Sequence, residues 1–275
     1  MFNKKRLVAI LTGTLLVGSL VGCSAGGASN SGSGSSDSSK ITISGSTSVG
    51  PTMEILAEDY QKANKGTTIE VQQVGSSAGI TNTIDGTSQI GMSSRDLKDE
   101  EKSELKEYQI AIDGIAVITN SANKVKDLTL DQVKDIYTGK ITNWKEVGGN
   151  DADIVVVSRE DGSGTRDGFQ EIVGFESGDL TSNAQISDGS GNIKTTVQGN
   201  ENAIGYISFG YLDDSINSVK IGGVEPKEEN VYNKKYPISR PFLLVTKGDA
   251  TGDAKSFIDY VLSDEGQKTI EKEGF

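Results

Sequence analysis

The chain has 275 residues, above the size at which one hydrophobic core usually keeps growing, so two modest lobes are expected rather than one large domain. Its formal net charge of -12 speaks against nucleic acid and anionic lipid as partners, and screening over about 8 Å keeps that charge from excluding an anion held by hydrogen bonds at contact. With no histidine and one cysteine, the chain lacks an imidazole base, histidine-bearing metal sites and any internal disulfide.

Residues 1–22 read as a secretion signal: Lys4, Lys5 and Arg6 open it, an apolar stretch follows from 7 to 21, and small residues close it. The ending Leu20-Val21-Gly22-Cys23 resembles the lipobox of bacterial lipoproteins. Cys23 is therefore expected to carry lipid, palmitate included, and to become the mature N-terminus at the outer face of the cell membrane. An uncleaved membrane anchor or an incidental cysteine are the alternatives. Residues 23–39 follow as a lipidated cysteine and a flexible tether, because Ser, Gly, Ala and Asn cannot bury apolar surface; its reach is roughly 20–25 Å.

Residues 40–45 alternate as a strand, and 51–64 form a helix with Pro51 in the first turn and Met53, Ile55, Leu56 and Tyr60 as apolar positions. Gly45-Ser46-Thr47-Ser48-Val49-Gly50 lies between them. A strand over 68–74 leads through Gly75-Ser76-Ser77-Ala78-Gly79 into a short helix to 84. A brief strand over 89–92 ends in Ser93-Ser94-Arg95 before a charged helix over 98–108. The runs 110–120 and 239–247 are long, apolar and without helical period, so they are either crossover strands between lobes or core strands of one sheet. Thr129-Leu130-Asp131-Gln132 is a capping box opening a helix to 137, and Trp144 is a packing anchor in the polar turn 140–149.

Next, the apolar run 153–158 reads as a buried strand that feeds Arg159-Glu160-Asp161-Gly162-Ser163-Gly164-Thr165, which opens a helix over 165–175 on Phe169, Ile172 and Val173. Such a loop leaves backbone N–H groups unpaired at the positive end of a helix dipole. Ser163 and Thr165 add hydroxyls and Arg159 a guanidinium, a set suited to a small tetrahedral oxyanion. Taken alone, the loop reads equally well as an ordinary turn capped by serine. The earlier strand ends carry Ser, Thr, Gly and Arg as well, and parallel strands of an α/β sheet bring their carboxyl ends together. Asp188-Gly189-Ser190-Gly191, opening a helix to 197, reads as capping rather than ligand contact. A strand over 203–207, core aromatics Tyr206, Phe209 and Tyr211, and helices over 251–262 and 264–272 complete the chain.

Gly75-Ser76-Ser77-Ala78-Gly79 also fits the nucleophile elbow, but without histidine no imidazole takes the serine proton. Neither glycine-rich loop carries a phosphate-loop lysine, and the acidic residues lack calcium-loop spacing. Binding without chemistry, and without a cofactor, is what remains.

Gly45-Ser46-Thr47 with Pro51, Gly75-Ser76-Ser77-Ala78-Gly79, Gly91-Met92-Ser93-Ser94-Arg95, Arg159 to Thr165 and Ala203-Ile204-Gly205-Tyr206, in that order, resemble the phosphate-binding lipoproteins of ABC-type phosphate importers. The resemblance implies a two-lobed periplasmic-binding-protein fold of type II, two α/β domains joined by crossover hinge strands over 110–120 and 239–247. Residues 40–118 plus 240–275 would form lobe I and 119–239 lobe II. It further implies inorganic phosphate as ligand, an ABC permease as partner and a monomeric binding protein. Carried over residue by residue, Thr47, Ser48, Ser77 and Ser94 bind phosphate from one lobe, and Arg159, Ser163, Gly164 and Thr165 from the other, with Asp161 pairing with Arg159. Better-known members have an aspartate where this chain has Ser94, which bears on how sulfate is rejected. Another tetrahedral oxyanion, sulfate or molybdate, and a phosphate scavenger or adhesin without a transporter are the alternative readings.

Overall fold

The computed structural model describes residues 39–275. The first part of the chain runs β1 (Ser39–Gly45), α1 (Gly50–Ala63), β2 (Thr67–Gln73), α2 (Ser76–Ile84), β3 (Ile90–Ser93), α3 (Asp99–Glu104) and the long β4 (Leu105–Asn120). The middle runs β5 (Asp127–Leu128), α4 (Leu130–Tyr137), β6 (Val155–Arg159), α5 (Gly164–Val173), β7 (Gln185–Ser187), α6 (Gly189–Gln198), β8 (Ala203–Ser208), β9 (Ile216–Ser218), β10 (Lys220–Ile221) and α7 (Glu228–Tyr232). The chain then returns through β11 (Ser239–Lys247) and ends in α8 (Gly252–Val261) and α9 (Asp264–Lys272).

β1 pairs in parallel with β2 and β3, β11 runs antiparallel between β3 and β4, and β6 runs parallel to both β8 and β7. The two halves meet in β4. Its residues up to Gly114 pair with β11, and from Ile115 it pairs with β8. The strand changes character at the same place: from Asp113 onward every residue is buried. On return, the Ile115 N–H donates to the Ile238 carbonyl at 2.8 Å, just before β11 begins.

Among the described residues the two largest apolar cores lie on either side of this junction. One packs α1, α8 and α9 on the first sheet through Ile43, Met53, Leu56, Leu244, Phe257 and Ile270. The other gathers Ile115 to Ile118 with Tyr137, Trp144, Phe169, Ile193 and Tyr206. Ile115 to Ile118, placed in lobe I from sequence, are thus buried in the second core. The expected second crossover over 239–247 also differs: β11 pairs along its whole length inside the first lobe, and the chain crosses immediately before it. The charged helix expected over 98–108 stops at Glu104, because Leu105 to Gln109 join an antiparallel ladder with Lys247 to Leu243, and tertiary pairing overrides helix propensity. Trp144 is buried and donates to the Asn202 carbonyl at 2.9 Å, anchoring its turn.

Candidate functional site

The carboxyl ends of β1, β2, β3, β6 and β7 point to the gap between the lobes, and each is followed by a loop or helix start rich in Ser, Thr and Gly. α1, α2 and α6 begin there without a side-chain cap from the preceding residue, and three of their first-turn N–H groups already have acceptors: Gly50 on the Ser46 carbonyl, Ser77 on the Gly162 carbonyl and Gly189 on the Glu160 carboxylate. α5 is capped: the Ser163 hydroxyl accepts from the Arg166 N–H at 3.2 Å. The Arg159 loop turns at Gly162, whose φ of 81° suits glycine. That turn places the Gly162 carbonyl 3.1 Å from the Ser77 N–H of the facing lobe.

Ser48, from the loop after β1, meets Thr165 Oγ1 at 2.9 Å and Ser190 Oγ at 3.1 Å. Ser94 Oγ lies 3.2 Å from Ser76 Oγ, and the Ser94 N–H donates to Ser76 Oγ at 3.1 Å. Arg159 donates through Nη2 to Thr47 Oγ1 and through Nη1 to Ser190 Oγ, both at 3.1 Å. Ser48, Ser76, Ser94, Arg159, Ser163, Thr165 and Ser190 are all at most 2 % exposed, whereas Thr47 is half-buried at the rim. The Tyr211 hydroxyl donates to the Thr47 carbonyl at 2.8 Å. A groove of about 640 Å³ lined by Thr47, Gln73, Glu160, Asp188, Ser190 and Tyr211 opens beside the cluster.

Gly164 lets the lobes approach this closely. A Cβ there would lie 2.3 Å from Ser76 Oγ and 2.9 Å from Ser94 Oγ, so any side chain on this helix start would strike the facing lobe.

Three expectations from sequence need correcting. Asp161 does not hold Arg159: it is exposed and pairs with Arg166 Nη1 at 2.7 Å. Glu160 takes that role, its carboxylate accepting from Arg159 Nε and Nη2 at 2.7 Å each, a two-pronged geometry that fixes the guanidinium plane. Burial works against the charged form of Glu160, yet the Arg159 bonds outweigh it and hold this carboxyl below its ordinary range. Ser77 is not in the buried cluster; its hydroxyl sits 3.4 Å from Arg95 Nη2, and Ser76 occupies the inner position. α2 begins at Ser76, so its first residue faces the gap and the second turns roughly 100° away. Lastly, the Asp188 side chain makes no capping bond, and Ser190 in the first turn of α6 joins the cluster.

Arg95 crosses between lobes. It forks onto Glu101 Oε1 and Oε2 at 2.8 Å each, and its Nε lies 3.0 Å from Asp167 Oδ2 on α5. Burial disfavours the Arg95 charge, but Glu101 and Asp167 outweigh it and raise its pKa; Glu101 is correspondingly held low. Tyr206 links core to site: its ring stacks on Phe169 and its hydroxyl meets Ser158 Oγ at 2.8 Å and the Arg159 N–H at 3.2 Å. Among the described residues no group of carboxylates could hold a metal ion.

A ring of buried hydroxyls with one braced guanidinium, enclosed between two α/β lobes that share a strand, defines a solute-binding protein of the periplasmic-binding class built for an anion. A family model described as a PBP superfamily domain matches residues 25–265. The phosphate-binding protein PstS of Bacillus subtilis (strain 168) is 38% identical over 237 residues, which cover 85% of this chain and 78% of that protein. Two solved structures are similar. One, a putative phosphate ABC transporter substrate-binding protein with bound phosphate from Clostridium perfringens, is 65% identical with a TM-score of 0.84. The other, an ABC-type phosphate transport receptor from Vibrio cholerae, is 40% identical with a TM-score of 0.74. Each comparison covers 86% of this chain and 98% of the other. The chain belongs to the PBP superfamily and, within it, to the PstS family.

Proposed function

We propose that this chain is a lipid-anchored, extracytoplasmic solute-binding protein that captures inorganic phosphate between its lobes and delivers it, chemically unchanged, to the permease of an ABC importer. The observation that carries the reading is the convergence of Thr47, Ser48, Thr165 and Ser190, from both lobes, beside the Glu160-braced Arg159, with Ser76 and Ser94 packed against Gly164 at the neighbouring helix start. Hydroxyls and helix N-termini supply many short donors to a tetrahedral anion, while one paired arginine supplies charge without making release prohibitive. Gly164 and the Ser163 cap line the same point. The relatives named for phosphate binding, one of them with phosphate bound, support the choice of ligand.

Transport without catalysis fits the surroundings of the site serines. Ser77, the elbow serine, faces Arg95, a group that can only donate. Cys23 and residues 1–38 lie outside the described residues, and their sequence supports lipidation at Cys23, release of the signal and attachment to the membrane. Among the described residues no helix is long and apolar enough to cross a membrane.

Titration calorimetry with phosphate, sulfate and molybdate tests the ligand: phosphate should bind most tightly, and equal or better binding of another anion would reassign the protein. Loss of phosphate uptake in a deletion strain tests the link to a permease. Cys23→Ala should leave the signal uncleaved or release the protein, and a variant still membrane-bound after signal removal would exclude lipid as the anchor.

A further inference from the structure

The buried pair Asp113–Arg240 sits at the junction of the lobes, 0% and 4% exposed, on facing positions of β4 and β11. Asp113 Oδ2 accepts from Arg240 Nε at 3.2 Å and Nη2 at 2.9 Å. Its Oδ1 accepts from the Ser208 hydroxyl at 2.9 Å and the Phe209 N–H at 3.2 Å, so both lobes satisfy this carboxylate. A buried ion pair is seldom more stabilising than apolar residues of the same volume, so packing alone does not account for placing one here. Arg240 has donors to spare. Nη2 also lies 3.2 Å from Ser48 Oγ, and Nη1 is buried with no acceptor among the described residues.

A guanidinium only donates, so at this contact the Ser48 oxygen accepts and its single proton points elsewhere. What lies there is the rest of the cluster, Thr165 Oγ1 at 2.9 Å and Ser190 Oγ at 3.1 Å, and any anion seated among them. Arg159 acts in the same way on Thr47 and Ser190. We propose that Arg240 is a positioning residue of the anion site, which commits the Ser48 hydroxyl to donating and polarises it toward the ligand without touching the ligand itself. The proposal rests on the phosphate reading above. It makes the cluster directional: hydroxyls that could turn either way become donors aimed at bare anion oxygens.

The test is a two-by-two cycle in the full chain, crossing Asp113→Asn/Arg240→Gln with Ser48→Ala and reading phosphate affinity by calorimetry and folding by circular dichroism. The double change removes both charges together, so no unpaired ion is left buried. Arg240→Lys, which keeps a charge beside Asp113 but cannot fork onto Asp113 and Ser48 at once, is carried in both backgrounds in case the neutral pair does not fold. In the parent background either change should weaken phosphate by about tenfold to a hundredfold. In Ser48→Ala the same change should cost less than about threefold, because its route to the ligand is already gone. An equal loss in both backgrounds, no loss in either, or Ser48→Ala binding like the parent would overturn the role given to Arg240 while leaving phosphate as the ligand. A parent that does not bind phosphate would remove the underlying reading and this proposal with it.

Discussion

Arg159 is a fully buried cation whose fork is already occupied on one side by Glu160, leaving Nη1 and the second N–H of Nη2 for the cluster. Arg159→Ala removes that charge and leaves the Glu160 carboxylate facing the anion. Breaking one member of a buried pair costs about 3–5 kcal/mol, so phosphate affinity should fall several hundred-fold or more. Asp161→Ala should change it less than about threefold, since an exposed pair with Arg166 contributes little. Calorimetry on both variants decides which carboxylate supports the site, and the reverse ranking would return that role to Asp161. Ser94 sets a second expectation. Phosphate near neutral pH keeps a proton that sulfate lacks, and a buried P–OH without an acceptor costs about 1–3 kcal/mol. Ser94 can accept but does not repel, so Ser94→Asp should raise the preference for phosphate over sulfate by about tenfold or more. An unchanged ratio in competition titrations would point to Glu160 as the group that reads the proton.

α5 matters through its first turn. Ser163 caps it, Thr165 reaches Ser48, and Gly164 passes so close to α2 and the loop after β3 that there is no room for a methyl group. In Gly164→Ala the new Cβ meets Ser76 and Ser94 only where the lobes come together, so the penalty falls on closure more than on either lobe. Overpacking of this kind costs about 1–3 kcal/mol, and phosphate affinity should drop by roughly tenfold to a hundredfold. The unfolding midpoint without ligand should stay near that of the parent. Small-angle scattering should show less compaction on adding phosphate, and parent-like affinity would mean that the lobes do not close on Gly164. β4 is the other element with a double duty, because one uninterrupted strand serves both sheets and places Asp113 where the chain changes lobes.

For the whole molecule, a ligand gripped from both lobes stabilises them together. At one hundred times its dissociation constant, phosphate adds about 2.7 kcal/mol. For a protein of this size that corresponds to roughly 5–10 °C in the unfolding midpoint. Differential scanning fluorimetry should show the shift with phosphate and not with chloride at equal ionic strength; equal shifts would mean general salt stabilisation. Much of this architecture could be read along the chain, because alternation, helical period and capping are local: β1, α1, β6, α5, α6 and β11 fall within a residue or two of their expected bounds. The strand ends rich in Ser, Thr and Gly, and Arg159 among them, were legible for the same reason. Distance in the chain hid the rest. Ser48 meets Thr165 117 residues away and Arg240 192 residues away, and no local pattern encodes such contacts. Asp113 and Arg240 left a trace, each a charge inside an apolar strand that must find a partner once buried, but the partner's identity depended on strand register. By itself the sequence determined that several strands end in hydroxyl-rich segments at helix starts, which converge once the strands pair in parallel. Only the tertiary structure decided that Ser76 rather than Ser77 turns inward, that Glu160 rather than Asp161 braces Arg159, and that Ser190 belongs with them, because helix phase, loop geometry and lobe approach are settled by packing.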